Sequence, residues 1–214
     1  MMNADQLVHT LGSSVTPVRR GMIPRRIALG LIAGGTITLG VVALGFGFRP
    51  DLAFAMHSST FWIKWTYTLS LGVIAIMATA HLARPEARGP RWLGLLAIPM
   101  MALAALAVGE LIRTPPQSWP ELWMGQSWRT CSTSVATLAL PIFAGLVLAF
   151  RRLAPTRLRL TGAIAGLAAG ALAATLYCLH CPEVSAMFVL TWYSLGIAVA
   201  AAIGALLGPT LLRW

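Results

Sequence analysis

Long apolar runs separated by short polar connections dominate the pattern of this chain. Six runs, at about residues 27–48, 62–83, 92–112, 133–150, 160–180 and 184–211, approach or exceed the roughly 20 residues that a helix needs to cross a bilayer. We therefore expect an all-α polytopic membrane protein. Its six transmembrane helices are predicted to form three antiparallel hairpins.

Composition supports a membrane protein and argues against a soluble domain. Of the 214 residues, 57% are hydrophobic and only 10% are charged, and the mean hydropathy is +0.76. A soluble domain carries roughly 25% charged residues. A bacterial inner (cytoplasmic) membrane protein with several spans is the class that fits.

The positive charges are distributed unevenly over the connections. Placing the N-terminus inside leaves only Arg49, Lys64, Arg113 and Arg129 on the outer side. The inner side then receives Arg19, Arg20, Arg25, Arg26, Arg84, Arg88, Arg91, Arg151, Arg152, Arg157, Arg159 and Arg213. The positive-inside rule thus predicts an N-in/C-in topology. The net charge of +10 is interpreted as topology signals and contacts with anionic lipid, not as direct nucleic-acid binding.

The chain divides into a small head, residues 1–26, and a six-helix transmembrane domain, residues 27–214. Within the head, Leu7, Val8 and Leu11 share one face of a predicted short helix, and a basic segment with Arg19 and Arg20 follows. A head of this size cannot bury a core of its own. It is expected in the cytoplasm, either folding on a partner protein or lying on the inner leaflet.

All three cysteines are expected at the outer end of the helices, where Cys178 closes the fifth span. Cys181 is predicted to cap the sixth span, with Pro182 at its first helical position and Glu183 in its first turn. Cys131 precedes the fourth span. The positive end of a helix dipole lowers the pKa of a thiol, whereas the negative end raises it. Cys131 and Cys181 are therefore the predicted reactive pair.

Two other interpretations of the cysteines remain open at this point. The Cys178-x-x-Cys181 spacing is compatible with a membrane thiol-disulfide oxidoreductase. Alternatively, a metal-binding enzyme could use a soft site built from Cys131, Cys178, His180 and Cys181. No hydrolase, zinc-protease or phosphate-loop motif is present, so we expect neither an enzyme nor a bound cofactor. Glu110 lies near the outer end of the third span. We expect it at the membrane boundary, with its charge balanced by Arg113 one helical turn away.

The last third of the chain contains the most specific pattern. Together with Pro-Val-Arg-Arg at residues 17–20 and the outer Cys131, this pattern resembles that of the NrsF-type membrane anti-sigma factors. The residues of this pattern are Cys181, Pro182, Glu183, Phe188, Trp192, Tyr193, Leu195, Gly196, Leu207, Gly208, Pro209, Leu211, Leu212, Arg213 and Trp214.

The resemblance implies a regulator that holds an extracytoplasmic-function sigma factor at the cytoplasmic face of the membrane. Release would follow an outside stress, with a heavy-metal ion or oxidation as the signal. The family's paired outer cysteines match Cys131 and Cys181, whereas Cys178 is not part of the pattern. Leu7, Val8, Leu11, Arg19 and Arg20 are the residues we expect to contact the sigma factor.

Overall fold

The computed structural model describes residue 6 and residues 22–82, 91–151 and 157–213, and it is helical throughout, with no strand in these ranges. The long helices are α1 (Met22–Val41), α2 (Ser59–Leu82), α3 (Ala97–Arg113), α4 (Trp128–Phe150), α5 (Leu158–Tyr177) and α6 (Ala186–Leu211). A π-helical turn, Val42–Phe46, extends α1, and another, Val189–Tyr193, lies within α6. Short helices occur at Leu52–Ala55 and Trp119–Met124.

Six helical segments in the described ranges are long and apolar enough to cross a membrane. This agrees with the number of spans expected from the hydrophobic pattern. At one end of the bundle α1, α3 and α5 finish and α2, α4 and α6 begin. All three cysteines lie at this end, which we call the cysteine end.

Helices α4, α5 and α6 form the centre of the bundle and pack against one another. Buried side chains such as Ile142, Leu146 and Phe150 of α4 fill the space between them. The outer helices join this centre separately: α1 packs on α4, and α2 packs on α5.

Small residues permit these close helix contacts. A Cβ atom at Gly30 or Gly34 of α1 would collide with the backbone of α4 at Gly145 or Ile142. On α5 and α6, Gly162 and Gly204 approach each other backbone to backbone in the same way. The small-residue faces predicted from sequence are therefore helix interfaces, as is common in membrane bundles.

The predicted arrangement of three hairpins does not describe the packing. α5 and α6 are neighbours, but α1 contacts α4 far more extensively than it contacts α2, and α3 packs mainly on α2 and the start of α6. A short connection fixes only where two helix ends meet. The glycine faces decide which helices lie side by side, and the face of α1 matches α4.

We expect Gly34→Leu to destabilise the protein by about 1–3 kcal/mol, because the side chain would overpack the α1–α4 contact. A Cβ there would lie 2.5 Å from Ile142 Cα, whereas a Cβ at the neighbouring Gly35 would have no atom within 4 Å. Gly35→Leu is thus the matched control. Thermal unfolding in detergent measures both variants, and an equal loss of stability in the two would contradict the assignment of this interface.

Candidate functional site

The segment from Cys178 to Met187, the 178–187 segment, connects α5 to α6 and is contacted from several other parts of the chain. Leu179 accepts a backbone hydrogen bond of 3.1 Å from Arg49, and the ring Nδ1 of His180 lies 2.8 Å from the carbonyl oxygen of Gly47. Both partners follow α1. Helices α2 and α3 reach the same segment through the charged side chains of Lys64 and Glu110. The start of α4 is bound by the Glu183 carboxylate of the segment.

Lys64 of α2 is 2% exposed, and its ammonium group is directed at the 178–187 segment. Its Nζ donates hydrogen bonds of 2.9 Å to the carbonyl oxygens of Cys181 and Glu183, and it lies 5.7 Å from the centre of the Tyr193 ring. A buried charge is tolerated only when such partners replace water. Lys64 therefore fixes the backbone on both sides of Pro182.

Glu183 caps the start of α4. Its Oε1 accepts hydrogen bonds from the backbone N–H groups of Gln126 (2.7 Å) and Ser127 (3.1 Å) and from the Ser127 hydroxyl (3.1 Å). Gly125, with φ of +52°, makes this approach possible, since a Cβ atom there would lie 2.5 Å from the carboxylate. Glu183 was expected in the first turn of the sixth span. Instead it caps α4, which begins at Trp128.

Glu110 of α3 performs the corresponding role for α6. Its Oε2 accepts hydrogen bonds from the Ser185 hydroxyl (3.0 Å) and from the backbone N–H groups of Ala186 (2.8 Å) and Met187 (3.3 Å). Negative charge at a helix N-terminus is favourable because the first N–H groups lack partners. Glu110 is thus satisfied, as expected, but by α6 and not by Arg113. The cap of α6 is Ser185, so the prediction that Cys181 caps this helix was wrong.

All three cysteines are free thiols and have no exposed surface. Cys131 lies in the first turn of α4, and its thiol lies beside the thiol of Cys181. The Ser127 hydroxyl also lies 3.8 Å from the Cys181 sulfur. The pair selected from sequence is therefore brought together in space, with Cys131 on α4 and Cys181 on the 178–187 segment.

The surroundings distinguish Cys181 from Cys178. The hydrogen bond from Cys131 and the nearby Lys64 ammonium lower the pKa of the Cys181 thiol, although burial acts in the opposite direction. Burial raises the pKa of Cys178, which ends α5 as the sequence predicted. Because the thiolate is the reactive form, Cys181 is the better nucleophile and soft-metal ligand of the two.

Aromatic residues around the π-helical turn of α6 complete the site. The turn places Tyr193 in the interior, fully buried, with its hydroxyl beside Cys178 and Cys181. On the other side of the turn, Trp192 stacks on Trp123 and donates a hydrogen bond of 2.8 Å to its carbonyl oxygen. A π-helical turn redirects side chains within a continuous helix. Here the buried ring of Tyr193 and the ring of Trp192, which binds Trp123, lie on different sides of the turn.

The four-residue metal set suggested by sequence is not assembled. Within the described ranges, no three or more His, Cys, Asp or Glu side chains are arranged to hold a metal ion. His180 is directed at Gly47, and its ring packs against Phe46 and Tyr177 instead of joining the thiols. Of the four residues in that set, Cys131 and Cys181 are the two whose sulfurs lie side by side.

The chain is similar in sequence to a family of known proteins over nearly its whole length. Residues 11–214 match the sequence profile of the NrsF family, described as negative regulator of sigma F. The chain is 37% identical to the probable anti-sigma-F factor NrsF of Azospira oryzae and 38% identical to the anti-sigma-F factor NrsF of Caulobacter vibrioides. Both alignments cover the whole of each chain. No solved structure matches the chain.

The chain belongs to the NrsF family. The resemblance inferred from the terminal Cys-Pro-Glu pattern is thereby confirmed. In this NrsF protein three residues of that pattern have structural roles of their own. Cys181 contacts Cys131, Glu183 caps α4, and Tyr193 fills the space beside the thiols.

The sequence interpretation did not identify Lys64, which it counted only as an outer topology charge. A usable signal was present, since Lys64 lies within a predicted apolar span, and an ionisable residue there is a functional candidate by default. The residues expected to contact a partner, Leu7, Val8, Leu11, Arg19 and Arg20, lie outside the described residues. So does most of the predicted 1–26 head, of which Gln6 and the first residues of α1 are described.

Glu183→Ala should lower the free energy of unfolding by about 2–3 kcal/mol, because three hydrogen bonds to a charged acceptor at the α4 N-terminus are lost. Glu121, an exposed acid in the preceding short helix, provides the control, and Glu121→Ala should stay within about 0.5 kcal/mol of the parent protein. Thermal unfolding and the rate of Cys131 alkylation report the effect. Equal stability of the two variants would remove Glu183 from this role.

Proposed function

We propose that this protein is an inner-membrane anti-sigma factor. It would hold an extracytoplasmic-function sigma factor inactive at its cytoplasmic face and release it when Cys131 and Cys181 react outside. Membership of the NrsF family carries the anti-sigma part of this proposal, because both curated relatives are named anti-sigma-F factors. Contact between the two cysteines carries the sensing part.

The six long apolar helices support the proposed membrane location, and the charge distribution supports the proposed orientation. In this orientation the cysteine end faces the periplasm, which is an oxidising compartment in bacteria. Trp62, Trp119, Trp123 and Trp128, which lie at this end, suit the membrane–water interface.

The sensing step can take either of two chemical forms. A soft metal ion can bind both sulfurs, with the loss of one proton from each thiol. Alternatively, a two-electron oxidant such as a peroxide can accept two electrons and two protons while a Cys131–Cys181 disulfide forms. Both forms change the distance between the start of α4 and the 178–187 segment.

The structure suggests how such a change would spread. Ser127 contacts both the Cys181 sulfur and the Glu183 carboxylate, so a shift at the sulfurs disturbs the cap of α4 directly. α4 in turn packs on α1, α5 and α6, whose other ends lie on the proposed cytoplasmic face. A tilt of α4 would therefore alter the surface offered to the sigma factor.

The docking surface proposed from sequence is the 1–26 head, with help from the basic connections 84–91 and 151–159. Leu7, Val8 and Leu11 would supply apolar anchors, and Arg19 and Arg20 would supply charge. A dithiol enzyme using Cys178 and Cys181 gains less support from this site, because the thiol that pairs with Cys181 is that of Cys131 and not that of Cys178.

The sensing part is tested by single cysteine variants in cells that carry a sigma-dependent reporter. Cys131→Ser and Cys181→Ser should still repress the reporter, but they should no longer release it when a soft metal ion or a peroxide is added. Cys178→Ser is the matched control and should keep both repression and release. Release that persists in the Cys131 and Cys181 variants would disprove sensing through this pair.

The docking part is tested by affinity capture of the tagged protein from native membranes, with the bound sigma factor identified by mass. Leu7→Asp combined with Leu11→Asp should weaken capture at least about tenfold, because two buried leucines are lost from the contact. His9→Asp adds charge to the same predicted helix on the face opposite the three apolar residues and should have little effect. Undiminished capture after removal of residues 1–26 would exclude the head as the docking element.

A further inference from the structure

A cavity of about 470 Å³ opens at the cysteine end between α2, α3 and the start of α6. Lys64, Glu110 and Arg113 line its polar part. Lys64 has three N–H donors, of which two bind carbonyl oxygens, so the third has no carbonyl partner. Arg113 forms no ion pair or hydrogen bond with any side chain in the described ranges. Two positively charged groups therefore border this space with unused donors.

The charges around the cavity favour a singly charged anion. Lys64 and Arg113 each contribute +1 and Glu110 contributes −1, so the three groups sum to +1. The Glu110 carboxylate is occupied by three donors from α6 and does not pair with either cation in the structure. A phosphodiester carries one negative charge and several acceptor oxygens, and it would neutralise the site.

A second cavity of about 480 Å³ adjoins the first along the groove between α2 and α3. The two cavities share Ile63, Leu103 and Leu106, and apolar side chains, including Trp62 and Pro99, dominate the second one. Both volumes lie in the range of ordinary ligand sites. A polar chamber continuing into an apolar groove has the form of a site for an amphiphile.

The position of α3 explains why this space exists. α3 is the least buried of the long helices, and its polar tie at the cysteine end is the Glu110 cap on α6. At Gly109 a Cβ atom would meet no protein atom within 4 Å. The polar chamber is lined by Thr60 near the start of α2 and by Arg113 at the end of α3, which is the depth expected for lipid headgroups.

We propose that the two cavities together bind one phospholipid whose headgroup carries a single net negative charge. Its phosphate would contact Lys64 and Arg113, and an acyl chain would fill the groove between α2 and α3. This inference rests on the proposed membrane location. A bound lipid would hold α3 against the bundle and so maintain the Glu110 cap at the start of α6.

The test uses the full-length protein, purified in detergent and titrated with phosphatidylglycerol or phosphatidylcholine, with bound lipid counted by native mass spectrometry. Phosphatidylglycerol should bind more tightly, and Arg113→Gln should weaken it about tenfold, the loss expected for one charge-assisted contact. Arg129→Gln is the matched control, because Arg129 lies at the same end but packs on the Trp128 ring outside both cavities. Equal binding of the two lipids would overturn the proposal.

Filling the cavity provides an independent variant. Gly109→Phe should abolish lipid binding because the ring occupies the open space, whereas Gly109→Ala adds one methyl group and should bind nearly as the parent does. Thermal unfolding confirms that both variants are folded. Unchanged binding by Gly109→Phe would overturn the proposal, and so would displacement of the lipid by inorganic phosphate at equal concentration, because the site would then take a free anion.

Failure of this proposal can be separated from failure of the proposed function. Fractionation of cells that express the tagged protein reports the membrane location, and sigma-factor capture reports the docking. A protein that sediments with membranes and captures its sigma factor, but binds no phosphatidylglycerol at this site, would refute the lipid proposal alone.

Discussion

The buried ammonium group of Lys64 is the constraint on which the cysteine end depends. The Lys64 side chain is 2% exposed, so its ammonium group loses its hydrogen bonds to water on folding. Hydrogen bonds to two carbonyl oxygens of the 178–187 segment replace them. Leaving a buried polar group without its hydrogen-bond partner costs roughly 1–3 kcal/mol, and more for a charged group. Once these carbonyls are fixed, Glu183 lies within reach of the α4 N-terminus, and Cys181 lies against Cys131.

The two capping carboxylates make this end of the bundle cooperative. Glu110 joins α3 to the start of α6, and Glu183 joins the 178–187 segment to the start of α4. Neither acid belongs to the helix that it caps, so each cap is also a tertiary contact. A displacement of α4, α6 or α3 is consequently transmitted to its neighbours through hydrogen bonds instead of being absorbed in a loop.

Sequence reasoning recovered the features that depend on local pattern. The six long apolar helices, the small-residue faces at Gly34 and Gly162, and the end of α5 at Cys178 follow from hydropathy, residue size and helix direction. It failed where a residue serves a distant partner. Nothing near Glu183 in the chain indicates that its carboxylate caps α4, and nothing near Gly34 indicates that α1 pairs with α4 instead of α2. Those choices depend on complementarity between separate helices, which one sequence does not display.

Cys131 and Cys181 lie together in the structure for a reason that differs from the one used to pair them in sequence. The helix-dipole argument placed both thiols at helix starts, yet only Cys131 lies in the first turn of a helix, and α6 begins five residues after Cys181. What distinguishes Cys181 is its contact with the Cys131 thiol and the proximity of Lys64. The group that most favours a thiolate at Cys181 is thus the Cys131 thiol of α4, and the Lys64 ammonium of α2 adds to its effect. The pKa of Cys181 therefore depends on how both α4 and α2 are held against the 178–187 segment.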